Sequence, residues 1–253
     1  IGIPARLGST RFPNKPLCRI LNFSMIQHCF LRSKLSKIAD DVIVCGCDEE
    51  VENEVKKVGG KFIMTNKNVP RPALRVAEGF KELDLSNEDI VVVVQGDEPL
   101  VHPEMIDLAI KPLIENKNDI FVTNLCTKIE EKDWKDPSEI KVVTDLEKNA
   151  IYMSRAPTPS VDHQEEKTSW FKQVCIMPFK WHFMKKFLFD MPETPLEKQE
   201  SIEMLRIIEN GYKVRMVENL YINKSVDNEN DRKEAEKLMS NDEIYAIYKD
   251  KKF

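Results

Sequence analysis

The chain has 253 residues, with 38 Lys and Arg against 43 Asp and Glu and a formal net charge of −5. That length suffices for one large domain with a proper core, and the acidic balance excludes a non-specific nucleic-acid coat, which needs a basic excess. With no apolar run of about 18 residues, no membrane-spanning helix is expected.

Six cysteines stand at 18, 29, 45, 47, 126 and 175. The close pair Cys45 and Cys47 lacks the second ligand pair of a zinc site, so free thiols in a reducing cytoplasm are expected. No signal peptide is recognised, and since the chain begins at Ile1 rather than Met, a few preceding residues are expected.

In chain order, Ile1 to Ile3 reads as the end of a buried strand that turns at Pro4. The loop beyond it carries Arg6, Gly8, Ser9, Thr10, Arg11 and Lys15. Cations and hydroxyls gathered behind an N-terminal strand describe a polyphosphate cradle. It is not a Walker A loop, because Asn14 stands where Gly must precede the Lys, nor is it G-x-G-x-x-G. A solvated basic loop is the plain alternative.

Ser24 is placed to cap a helix carrying Met25, Ile26, Cys29 and Phe30. Asp41 to Cys45 is a second buried strand, and Asp48 opens an acidic first turn of the next helix. Lys61 to Met64 is a third strand. Ala73, Val76, Ala77 and Phe80 follow at helical spacing. Asp89 to Val94 is a continuous β-branched run, as in a central parallel strand buried on both faces. This alternation predicts an α/β fold with a doubly wound, mostly parallel sheet.

The central strand ends in Gln95-Gly96-Asp97-Glu98-Pro99. Ligands of open α/β sheets bind beyond the carboxyl ends of strands, which places Asp97 where it would hold Mg²⁺ against phosphate oxygens. Capping the helix near Pro103 is the other reading of Asp97. After a helix through Met105, Ile106, Ala109, Ile110 and Leu113, Ile120 to Cys126 reads as a strand. Asp136 to Val143 and Ala150 to Arg155 read as paired strands, residues 156 to 169 as an exposed excursion, and Val174 to Phe179 as a further strand. Leu196 to Arg206 reads as one helix ending at Gly211. On it Glu197, Glu200 and Glu203 share a face, either simply solvated or near an acceptor. Val214 to Val217 is a late strand. Asp227 lies just before a charged helix, as its cap or as a second metal carboxylate.

Three stretches carry a family resemblance. Ile3 to Leu17 fits I-P-A-R-x-x-S-T-R-x-P-x-K-P-L, Val94 to Pro99 reads V-Q-G-D-E-P, and Leu196 to Arg206 matches L-E-x-x-E-x-L-E-Q-L-R almost throughout. They resemble the CMP-Kdo synthetases (3-deoxy-manno-octulosonate cytidylyltransferases), nearly end to end. The resemblance implies a Rossmann-like nucleotidyltransferase domain over residues 1–253. A strand-rich insert at 127–180 would serve acceptor binding and homodimer contact. Arg6, Gly8, Ser9, Arg11, Lys15 and Arg75 would bind CTP, and Asp97 and Asp227 would hold Mg²⁺. Lys15, Asp97 and Asp227 would form the catalytic set, with Gln95, Arg155, Gln173 and Glu200 facing a small anionic acceptor. Lys141 also falls on a matching position. The implied reaction moves CMP from CTP to a Kdo-like sugar acid and releases pyrophosphate, in the cytoplasm, for lipopolysaccharide or capsule.

Departures cluster on the acceptor side. The family's H-x-S-G-T-[DE]-R is Val69 to Arg75 here and keeps only the Arg, and Gln173 and Met177 replace a His and a Tyr. The family's T-D is Gly46-Cys47, with an acid only at Asp48. Transfer onto a phosphorylated metabolite, giving a CDP-linked product, is one alternative. A non-catalytic nucleotide-binding module is another.

Overall fold

A computed structural model of the chain describes residues 1–8, 12–115, 120–160 and 169–253. Ser9, Thr10, Arg11 and most of the excursion expected at 156–169 lie outside the described residues. The chain divides into two compact units, one of residues 1–85, 91–107 and 221–253, the other of residues 86–90 and 108–220.

The first unit opens with β1 (Gly2–Ala5), then a small antiparallel pair, β2 (Arg19–Ile20) and β3 (Phe23–Ser24), and α1 (Met25–Ser33). It continues through β4 (Ile43–Gly46), α2 (Glu49–Lys56), β5 (Lys61–Met64), α3 (Pro72–Phe80) and β6 (Ile90–Val94). α4 (Pro103–Glu115) begins in this unit. The strands lie parallel in the order β6-β1-β4-β5, with Gly2 opposite both Ile43 and Val93. This is the largely parallel α/β sheet that the alternating pattern predicts. Ile3, Val44, Val93 and Val94 are fully buried, which accounts for the apolar strands: each has side chains packed on both faces of the sheet. The chain moves outward from β1 to β4 and β5, then returns to β6 on the other side of β1. Strand order therefore reverses between β1 and β6, and a crevice opens at such a point because the two connections leave in opposite directions.

The second unit holds β7 (Thr123–Ile129), α5 (Glu131–Lys135), β8 (Lys141–Thr144), β9 (Ala150–Ser154), β10 (Trp170–Val174) and β11 (Ile176–Lys180). α6 (Trp181–Lys185), α7 (Pro195–Glu200), α8 (Glu203–Glu209) and β12 (Arg215–Glu218) complete it. Its sheet runs β12-β7-β10-β8-β9, antiparallel except for the β12–β7 pair. β8 starts later than the expected Asp136, because the Asp136 carboxylate accepts from Ser138 N–H and Oγ–H and folds that stretch into a turn. The single helix expected over Leu196 to Arg206 is two. Ser201 adopts a left-handed φ of 56° and separates α7 from α8. The break separates the three glutamates: Glu197 is fully buried and pairs through both oxygens with Arg206 at 2.6 Å, while Glu200 turns to β9.

The chain's end returns to the first unit as α9 (Glu229–Met239) and α10 (Glu243–Tyr248). His28 on α1 is fully buried, with Nε2 2.7 Å from the Ile20 carbonyl and Nδ1 2.7 Å from the Tyr248 hydroxyl. A carbonyl can only accept, so Nε2 carries the proton and Nδ1 accepts from Tyr248. Burial depresses the His28 pKa from 6.5 to about 4. At neutral pH the ring is neutral in both folded and unfolded chains and contributes no pH dependence. Below about pH 6.5 the unfolded chain takes up the proton first, so stability is lost as pH falls toward 4, by about 3 kcal/mol in all at about 1.4 kcal/mol per pKa unit. Urea midpoints measured from pH 7 to 4 should fall over that window, and the His28 imidazole should show no NMR titration near pH 6.5.

Candidate active site

The ends of β1 and β6 approach so closely that Gly96 has no room for a side chain. A Cβ at that position would stand 2.7 Å from the Pro4 carbonyl oxygen. Glycine is thus the residue that lets the two strand exits converge. Beside them lies a cavity of about 380 Å³, lined by Arg6, Gly8, Lys15, Arg75, Gln95 and Asp97 among the residues expected to act, and by the segment Val69 to Pro72. Gly8 is exposed, and a Cβ there would meet nothing within 4 Å, so the fold alone does not require glycine at that position.

Lys15 sits at the start of a short turn, Lys15–Leu17, set by Asn14 in the left-handed region and by Pro16. Its ammonium donates to Asp97 Oδ2 at 2.7 Å and to Asp227 Oδ1 at 2.8 Å. Burial works against that charge, but the two carboxylates outweigh it and hold Lys15 above its ordinary pKa. A backbone bond from Val226 N–H to the Asp97 carbonyl, 3.0 Å, fixes the two acidic segments side by side. The capping alternatives do not describe what is observed. Asn228, not Asp227, caps α9, accepting from the N–H groups of Asn230 and Asp231. Asp97 lies well before the first residue of α4, Pro103, and its carboxylate faces Lys15.

Other residues hold this frame. Asp48 Oδ2 accepts from Leu7 N–H at 2.9 Å and so anchors the entry of the basic loop. Arg32, 1% exposed, donates to the carbonyls of Val101 and Leu100 and to Asp242, which fastens the chain just past Asp97 to α1 and to the start of α10. Neither role is visible from spacing, although an Arg on an otherwise buried helix face is a signal that it must have partners. Arg75 is buried, and its guanidinium donates to Thr65 Oγ1 at 2.6 Å and to the carbonyls of Asn66 and Val69. It thereby shapes the cavity wall around residues 65–69.

The remaining expected residues belong to the second unit. Glu200 accepts from Tyr152 Oη, Ser154 Oγ and Arg155 N–H at 2.8–3.0 Å. Burial opposes its ionisation, yet these bonds keep its pKa below the usual value. The Arg155 side chain donates to the carbonyls of Glu200, Pro137 and Ser138. Gln173 Nε2 donates to Asn124 Oδ1. Lys141, fully buried, donates to the carbonyls of Asp136, Glu139 and Arg155. All six cysteines are free thiols, and four are buried. Among the described residues, no group of three or more His, Cys, Asp or Glu side chains is arranged to hold a metal, and no helix is long and apolar enough to cross a membrane.

A family described as cytidylyltransferase matches residues 1–224. A 3-deoxy-manno-octulosonate cytidylyltransferase of Solibacter usitatus is 37% identical over 237 residues, 93% of this chain and 92% of that protein. One from Thermodesulfovibrio yellowstonii is 38% identical, covering 94% of this chain and 96% of its own. A solved structure of CMP:2-keto-3-deoxy-manno-octonic acid synthetase complexed with CTP superposes with a TM-score of 0.87 at 31% identity, over 94% of this chain and 97% of that one.

Gly96→Ala tests the convergence of the strand exits. A methyl placed 2.7 Å from a backbone carbonyl forces the backbone to move. Urea denaturation should show a loss of about 1–3 kcal/mol, the usual cost of overpacking a well-packed site.

Proposed function

The chain belongs to the cytidylyltransferase family, and from that premise we propose that it transfers CMP from CTP to a 2-keto-3-deoxy sugar acid and releases pyrophosphate. One observation carries this reading: a basic loop and two carboxylates distant in sequence meet at the strand-order reversal, with Lys15 bridging Asp97 and Asp227. The names of the relatives, 3-deoxy-manno-octulosonate cytidylyltransferases at 37–38% identity, support the acceptor class and the link to lipopolysaccharide or capsule.

Arg6, Lys15 and Arg11 hold the triphosphate, helped by backbone N–H groups near Gly8 and Ser9, and Arg75 keeps the cavity wall in place. The anomeric oxygen of the acceptor attacks the α-phosphorus in line, and the bond from that phosphorus to the bridging oxygen of the β-phosphate breaks. The hydroxyl proton leaves to solvent. The loop cations take up charge on the departing pyrophosphate, a stabilisation that counts only as the bond breaks. Asp97 and Asp227 offer anionic oxygens, hard donors suited to Mg²⁺, and one ammonium already reaches both. When bound there, Mg²⁺ would neutralise phosphate charge and polarise the α-phosphate.

Gln95 would contact the acceptor, a role that its position on the cavity lining supports. Arg155, Gln173 and Glu200 would bind the acceptor as well, a role that the likeness to the named relatives supports. The free thiols support a reducing compartment, the cytoplasm. Exposed Leu146 and Ile151, on the β8–β9 hairpin, support self-association as a homodimer.

Two measurements test this reading. Asp97→Asn should lower pyrophosphate release by about 10³-fold, about 4 kcal/mol of transition-state stabilisation, while CTP binding measured calorimetrically is partly kept; near-normal turnover would remove Asp97 from the mechanism. A pyrophosphate-release screen over four nucleotides, with 2-keto-3-deoxy sugar acids and phosphate esters as acceptors, should respond to CTP with a sugar acid. Turnover with phosphate esters alone would transfer the assignment to a CDP-forming reaction.

A further inference from the structure

We propose that Lys15 is the resident counter-cation of the carboxylate pair, and that its ammonium and a divalent ion exclude one another between Asp97 and Asp227. Metal entry would then be coupled to nucleotide binding through this one side chain. The inference rests on the assignment of those carboxylates as the metal-holding groups. Lys15 Nζ donates to one oxygen of each, at 2.7 and 2.8 Å, and its side chain is only 12% exposed. A cation bridging the two acids through these oxygens would have to displace the ammonium or share them with it. The charges lead to the same conclusion. An ammonium and a divalent ion held at the same two carboxylates are like charges, and they repel strongly in a partly desolvated place.

The alternative resting place of the ammonium is also in view. Lys15 and Asp97 both line the cavity that Arg6 and Gly8 line from the loop. A lysine can move between these positions because its charge is compact and its stem has four rotatable carbons, whereas an arginine would be bound to a fixed fork. A polyphosphate in the cavity offers Lys15 new anionic partners. As the ammonium turns to them, the Asp97 and Asp227 oxygens are released. The same side chain thus first offsets charge on the Asp97 and Asp227 carboxylates and later serves the phosphates.

The test is Mn²⁺ binding to the free protein, followed by electron paramagnetic resonance without nucleotide, for the wild type, Lys15→Met and Arg6→Gln. Arg6→Gln removes a charge from the rim of the same cavity and sets the purely electrostatic background. Lys15→Met should bind Mn²⁺ at least about tenfold tighter than the wild type, well beyond Arg6→Gln, and adding Asp97→Asn to Lys15→Met should abolish the gain. In thermal melts, Lys15→Met should be less stable than the wild type in metal-free buffer and recover with Mn²⁺, because the ion replaces the missing ammonium. A merely structural tie would give destabilisation that Mn²⁺ does not rescue. That result, or Mn²⁺ affinity of Lys15→Met no tighter than that of Arg6→Gln, would overturn the proposal. If the wild type still releases pyrophosphate in that case, cytidylyl transfer stands without the competition. If it releases none with any acceptor, that reading falls, while the Mn²⁺ titration still decides the competition.

Discussion

The structure depends on a tie among three charged side chains that the chain brings together from its beginning, middle and end. Lys15 meets Asp97 and, across 212 residues of sequence, Asp227. Such a contact is not made by local propensity. It requires β1 and β6 to lie side by side and their exits to converge, which Gly96 permits by having no side chain against Pro4. It also requires the late segment before α9 to dock on the Asp97 backbone through Val226. Neighbouring carboxylates repel one another, and the Lys15 ammonium, which donates to both, offsets part of that repulsion.

Around that tie, charge is distributed against the overall composition. The chain is acidic, with a net −5, yet the cavity is lined by Arg6, Lys15, Arg71 and Arg75 against Asp97. A local cationic site on an acidic protein suits a small polyanion, because the surrounding negative charge discourages long polyanions while short-range contacts still hold a triphosphate. The buried cations that are not in the cavity have other work. Arg32 holds the chain past Asp97, Lys141 gathers three carbonyls, and Arg206 neutralises Glu197. Each lies inside the protein only because carbonyl or carboxylate oxygens accept from its charged group.

The second unit shows how a sequence motif is built into packed structure. The stretch Leu196 to Arg206 carries the family letters and is divided by Ser201: Glu197 lies in a buried pair, and Glu200 accepts hydrogen bonds at the end of β9. Removing one partner of a buried pair of this kind costs about 3–5 kcal/mol, since an uncompensated charge is left inside.

Much was legible in the sequence by itself. The β-branched run at Ile90 to Val94 and the regular alternation of apolar strands with amphipathic helices determined a parallel α/β sheet, because side-chain period and burial are local properties of the chain. The cations behind β1 and the acid behind β6 were legible for the same reason, since parallel sheets present their ligands at strand ends. Tertiary structure alone decided which partners those residues have. That Asn228 rather than Asp227 caps α9, that Arg75 braces residues 65–69, that Asp48 anchors Leu7 and that Lys15 closes the gap between two acids all depend on distances between segments far apart in sequence. Spacing along one element carries no information about such distances. They are set by how strands pair and helices pack, and only the folded chain specifies them.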